Sequence, residues 1–319
     1  MARVTSSLYT SCVARAQRGT QRYAIPILSR PFSATPPRSS DDAVPRFTET
    51  PNQELNDALA SIRRHYFLPA ALSKSDRQLM YGTSNRELIL QHPRNVTIRG
   101  GETVKLEWID RRTQIPNRKR ELKKVINLMA QSGGHEEWKQ LPTLLKGLRM
   151  IRKPVSGWHL DFVLRKIIEA NQFQVLLHCV RNASQTGMSL KQPEVLEAVL
   201  WSLHLSAQAA GWSEAATMQA IKNADFIAMQ LQSSLHGGGE NLSAEDARRK
   251  PETLGLYLEL VAVLAHQHRG AIDTDGNVGA YSERLLANIE ADGATTLKTT
   301  VVHPVGPQTD MLLAIPIWH

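Results

Sequence analysis

The densest chemistry in this chain is a run of cations. Arg111, Arg112, Arg118, Lys119, Arg120, Lys123 and Lys124 place seven positive charges and one acid, Glu121, within fourteen residues. Clustered cations bind polyanions by displacing the counterions condensed on a phosphate backbone, and a loop leading into a helix can lay them along such a backbone. The same run fits an acidic protein or a lipid headgroup, and many charge runs are only solvated helix faces. RNA phosphate is the expected partner, read through backbone or shape. Trp108, Trp138 and Trp158 sit among apolar neighbours and are expected in the core. No stacking platform for single-stranded bases is therefore predicted. Nor does a polar pair recur at equivalent positions, as base-by-base readout requires.

Side chains suited to catalysis or metal binding do not assemble into a motif. His135-Glu136-Glu137 lacks the second histidine of a helical zinc pair, so its glutamates read as first-turn residues of a helix. His159-x-Asp161 opens another helix, where the aspartate complements the dipole. Asp273-Thr-Asp275-Gly-Asn277 resembles a calcium loop, but its glycine comes two positions early and its twelfth position is Arg284 instead of glutamate; it reads as a turn. Gly237-Gly238-Gly239 lacks the Lys-Ser/Thr of a phosphate loop and reads as a connector. Cys179, in the apolar stripe Phe173, Val175, Leu176 and Val180, reads as core. No catalytic residue, cofactor, metal site or small-molecule substrate is expected.

The elements that must hold the cationic run are legible from hydrophobic spacing. Leu55, Leu59, Ile62 and Tyr66 share one face of a helix over residues 53–67, which Pro69 should stop. Over residues 94–109, Val96, Ile98, Val104, Leu106 and Trp108 alternate with polar residues around Gly100-Gly101, predicting a β-hairpin. Beyond Pro116 the chain turns helical. Asn117 is a candidate cap, Leu122, Val125, Ile126 and Met129 form the buried stripe, and Gly133-Gly134 ends the helix. Helical segments follow at 135–151, 158–170, 172–186, 193–210, 213–235 and 243–267, joined by short Gly-containing turns as in consecutive antiparallel helices. Gly157-Trp158 and Gly211-Trp212 recur, but no strict period emerges. The fold class is mainly α: an irregular α-solenoid or helical bundle of antiparallel pairs, with a small β-hairpin before it and an extended C-terminal tail.

The two ends differ from this body. The first forty residues hold six arginines, no lysine and no acid before Asp41, an Arg- and Ser-rich composition that addresses proteins to mitochondria. Ser29-Arg30-Pro31-Phe32-Ser33-Ala34 is similar to a matrix-processing site, so residues 1–33 are expected to be a presequence. Residues 34–52 read as an unstructured linker, rich in Pro, Ser, Thr and Asp. The N-terminal helix and hairpin would occupy residues 53–116, the helical body 117–292 and the tail 293–319. Residues 41–319 hold 32 of the 38 basic residues, against 30 acidic. Residues 94–153 nevertheless hold 15 basic against 6 acidic residues, and 154–319 hold 11 against 17. That polarity concerns partners, not fold. No apolar run reaches the roughly 18 residues that span a bilayer; residues 254–265, interrupted by Glu259, read as a buried helix.

A presequence, a basic extension, irregular helix pairs and a non-globular tail together resemble the helical-repeat (pentatricopeptide- and tetratricopeptide-like) proteins of mitochondrial gene expression, including mitochondrial ribosomal subunits like those of fungi. The resemblance covers residues 111–270 and implies a non-catalytic matrix protein, a subunit of the mitochondrial ribosome or a factor bound to it. Ribosomal RNA and mitochondrial ribosomal proteins would be its partners. The alternative is an assembly or maturation factor for a respiratory complex, peripheral to the inner membrane.

Overall fold

The computed structural model describes residues 43–98, 101–239 and 246–291. The expected presequence and tail lie outside these residues.

Helix α1 (Gln53–Ile62) starts at Asn52, whose side chain accepts the Leu55 N–H at 3.0 Å, and it buries Leu55, Ala58, Leu59 and Ile62. Pro69 does not end this helix, contrary to the sequence expectation. The chain passes through a π-helical turn, Arg63–Phe67, into α2 (Leu68–Ala71) with Pro69 in its first turn. A proline lacks the N–H donor and clashes with the carbonyl four residues back in a regular helix. The wider π turn, in which Leu68 N–H bonds to the Arg63 carbonyl, opens room where that clash would fall. Two short helices that periodicity did not reveal follow, α3 (Lys74–Tyr81) and α4 (Arg86–Gln91), burying only Met80 and Ile89.

The hairpin forms as expected. Strands β1 (Asn95–Thr97) and β2 (Thr103–Lys105) pair antiparallel with Val96 opposite Val104, and Ile98 and Leu106 on the same side are buried. Trp108 stays half-buried and donates its indole N–H to the Gly82 carbonyl at 2.9 Å.

The helical body then comprises α5 (Arg118–Ser132), α6 (His135–Trp138), α7 (Gln140–Met150), α8 (Trp158–Glu169), α9 (Phe173–Arg181), α10 (Ala183–Thr186), α11 (Pro193–Ala209), α12 (Glu214–Leu231), α13 (Pro251–Val263) and α14 (Asn277–Ala291). The expected segment at 243–267 begins at Pro251 instead, a residue suited to a helix start, and runs on through a π turn, Leu264–His268. Helix α14 was not anticipated. It buries no residue fully and lays Tyr281 against Tyr257 of α13, a one-sided packing that leaves a weak apolar pattern. No helix among the described residues is long and apolar enough to cross a membrane.

Packing follows the pairs, with α5 against α8, α8 against α11, and α11 against both α12 and α13. Helices α5 and α8 run parallel: Lys123 meets Trp158 and Phe162, while Asn127 and Gln131 face a groove shared with Lys166 and Ala170. One buried cluster runs from Val44 to Leu260, with Trp138, Leu141, Leu144, Leu145 and Cys179 at its centre. Full burial of each such apolar side chain contributes about 1.5–3 kcal/mol. Gly147 is required there, because a Cβ on it would lie 2.2 Å from the Phe67 ring.

The linker expectation is corrected for residues 43–52, which are packed. Val44 is buried, Phe47 sits 6.2 Å from the Phe67 ring, and Thr48 N–H donates to Gln140 Oε1 at 3.2 Å. Two apolar residues and a few specific hydrogen bonds suffice to fix a segment whose composition suggests disorder. Arg63 reinforces it, donating to the Pro45 carbonyl at 3.1 Å and to Glu102 at 2.7 and 2.8 Å. Burial alone would raise the Glu102 carboxyl, but Arg63 and Arg46 hold it below the usual carboxylate range.

Candidate nucleic-acid interface

Two local structures position the seven cations. Arg111 and Arg112 sit on a turn built by Asp110, whose carboxylate accepts the Arg112 N–H at 2.9 Å and the Thr113 hydroxyl at 2.8 Å. These bonds hold the Asp110 carboxyl below its ordinary range. The Arg111 guanidinium lies 4.9 Å from the Tyr81 ring centroid, a cation–π contact that orients it without neutralising it. Burial pushes the Tyr81 phenol up despite that neighbour, so the ring stays uncharged.

The other five cations occupy the first two turns of α5. Asn117 is its cap as predicted, accepting the Lys119 and Arg120 N–H groups at 3.0 and 3.3 Å. Leu122, Val125, Ile126 and Met129 are buried as predicted, and Gly133 closes the helix at φ +64°. With one face committed to the core, Lys119, Arg120, Lys123 and Lys124 are turned to solvent. Lys124 pairs with Glu54 of α1 at 3.1 Å. Among the described residues Arg118, Lys119, Arg120 and Lys123 pair with no carboxylate within 4 Å, and Glu121 is the sole acid in the first turn.

This arrangement is locally unfavourable. Cations oppose the helix dipole at an N-terminus, and Lys119/Lys123 and Arg120/Lys124 are like-charge neighbours one turn apart. A helix built only for stability would carry acids there. A polyanion laid across the turn and α5 would relieve both penalties.

Trp158 departs from the sequence expectation. Trp138 is fully buried, but Trp158 is 56% exposed, at the first residue of α8. Its ring stacks on Phe162 at 5.8 Å and 20°, and Lys123 Nζ lies 5.7 Å from both ring centroids. The aromatic pair thus adjoins the cations. A signal was present in the sequence: at 100° per residue, Trp158 and Phe162 fall opposite the stripe Leu160, Val163, Leu164 and Ile167, and of the two only Trp158 is exposed, Phe162 being buried. Apolar neighbours in sequence concealed that they lie on another face.

The remaining candidates are structural. His135 Nδ1 lies 2.9 Å from Gln172 Oε1, Glu136 pairs with Lys139 at 2.5 Å, and Glu137 is buried. Asp273 accepts the Gly279 N–H at 3.0 Å and caps the start of α14, while Arg269 pairs with Asp275. Cys179 is buried, which pushes its thiol far up. No group of three His, Cys, Asp or Glu side chains that could hold a metal occurs among the described residues.

The class defined by this arrangement is a mainly helical protein with a cluster of exposed cations on one helix. A family model described as mitochondrial ribosomal protein mS27 matches residues 30–319, and the chain belongs to that family. It is similar to the small ribosomal subunit protein mS27 of Neurospora crassa, 25% identical over 286 residues, covering 83% of this chain and 70% of the relative. Family membership makes the chain a structural, non-enzymatic protein of the mitochondrial ribosome in the matrix, and disfavours the respiratory-complex alternative.

Proposed function

We propose that this chain is a structural subunit of the mitochondrial small ribosomal subunit, and that Arg111, Arg112, Arg118, Lys119, Arg120, Lys123 and Lys124 contact ribosomal RNA phosphates. The observation that carries the reading is the set of four cations without carboxylate partners at the N-terminal end of α5, where intrachain energetics favour acids. The small-subunit placement draws on the name of the Neurospora relative. The family model starts at residue 30, which supports a leader ending near residue 33. The parallel packing of α5 on α8 supports a helical-repeat origin for the body without a fixed sequence period.

The test replaces Arg118, Lys119, Arg120, Lys123 and Lys124 with glutamine and measures association with small-subunit RNA against salt. Each phosphate contact contributes roughly 0.7–0.9 to the slope of log K on log salt, so losing all five should flatten it by about 3.5–4.5. An unchanged slope would remove these residues from the interface.

A further inference from the structure

An exposed tryptophan beside the cations, backed by a buried phenylalanine, extends this reading from backbone to base. Trp158 opens α8 after Gly157, whose φ of +54° belongs to the region that favours glycine. One turn on, Phe162 backs the Trp158 ring at 5.8 Å, and the His159 ring meets its edge at 5.1 Å and 85°. A single exposed apolar residue needs no explanation. This one is stacked from behind, braced at its edge and flanked by Lys123, which has no carboxylate partner among the described residues. Lys119 stands one turn before Lys123, and Arg120 is exposed beside it. The cationic stretch is short. Further along α8, Lys166 is engaged by Glu169 at 2.6 Å, and that carboxylate borders the groove between α5 and α8.

We propose that Trp158 receives one unpaired nucleobase of single-stranded RNA, stacked on the ring between solvent and the Trp158–Phe162 pair, with adjoining phosphates held by Lys119 and Lys123. Every base has a π face, so the site is indifferent to base identity and selects for an unpaired, flipped-out nucleotide. A duplex keeps its bases stacked on one another and cannot fill it. This proposal rests on the RNA reading above and adds a base contact to it.

The test uses the full-length chain with three fluorescein-labelled probes of equal length: oligoadenylate, the same ribose-phosphate backbone without bases, and an RNA duplex. Affinities are measured across salt for the wild type, Trp158→Leu and Trp158→Phe. The wild type should prefer oligoadenylate to the abasic backbone by about tenfold, which is what one stacked base contributes. W158L should lose that preference while keeping the wild-type salt slope, and W158F should retain most of it. Trp158 being exposed, unchanged thermal unfolding of W158L checks the fold.

Equal binding of oligoadenylate and abasic backbone by the wild type, or a W158L variant that keeps the preference, would overturn the base contact and leave the phosphate reading standing. Equal affinity for polyglutamate of matching charge, or no RNA binding at all, would overturn both. In the five-glutamine variant the salt slope should fall for all three probes while the base preference persists, which separates the two contributions.

Discussion

At the scale of single residues, Gly147 and Phe67 make a tight contact between α7 and the π turn that α1 runs into. Gly147→Ala adds a methyl where the Phe67 ring stands 2.2 Å away. Overpacking costs about 1–3 kcal/mol, and the helix propensity gained over glycine returns up to about 1. Urea denaturation should show a net loss of about 1–2 kcal/mol, and adding Phe67→Leu should recover part of it. His236 bears on pH. It is buried, its Nδ1 accepts the Leu190 N–H at 3.0 Å, and burial lowers its pKa from the ordinary histidine value. The folded protein therefore holds it neutral, whereas the unfolded chain takes up a proton as pH falls below about 6.5. Unfolded molecules bind more protons in that window, so stability is complete above it and declines as pH falls through it. His65 shifts in the same direction, burial again being the main cause. In His236→Gln the loss of stability between pH 7 and 5 should shrink but not vanish. A wild type whose unfolding free energy is flat over that range would contradict the assignment.

At the scale of elements, α5 serves two ends that conflict. Replacing its five cations with glutamine removes two like-charge pairs worth roughly 0.2–0.5 kcal/mol each and the opposition to the dipole. It also removes the exposed Lys124–Glu54 pair, worth about 0–1 kcal/mol. Thermal unfolding of that variant should show unchanged or slightly raised stability together with weakened RNA association. A large fall in stability would make the cations structural. Helix α5 was also the most legible element, because cap, stripe and terminal glycine all agreed. The hairpin was legible for the same reason: alternation and Gly100-Gly101 pointed one way. The course of the chain at Pro69 was hidden because a π turn answers to the packing of Phe67, not to any local pattern. Helix α14 was hidden because half-burial against α13 leaves no continuous stripe. In the candidate site, the cations could be read from composition, whereas the exposure of Trp158 was masked by its apolar sequence neighbours, although its angular position on α8 set it opposite Leu160, Val163, Leu164 and Ile167.

At the scale of the whole molecule, the charge polarity between residues 94–153 and 154–319 takes on meaning with the ribosomal assignment. A uniformly basic protein would adhere to RNA anywhere. Here the excess positive charge lies in the hairpin and α5–α7, and the helices from α8 onward are mildly acidic. In sucrose gradients of mitochondrial lysate the tagged protein should migrate stoichiometrically with the small subunit when magnesium is withdrawn to part the subunits. Residence at the top of the gradient would argue against a structural place in the particle.

The packed segment at residues 43–52 carries a kinetic consequence. From α8 onward each helix is covered by one close in sequence, so those pairs can condense as soon as both members exist. The first helix is different: the hydrogen bonds that anchor its surroundings join Asn52 to Ser132 and Thr48 to Gln140, partners 80 and 92 residues apart. Closing such long loops is the slow step in assembling a fold. A chain that arrives amino end first therefore carries Leu55, Leu59 and Ile62 uncovered until α5 has followed. The amino end of the described fold is thus finished only through partners far along the chain, unlike the helices that follow it.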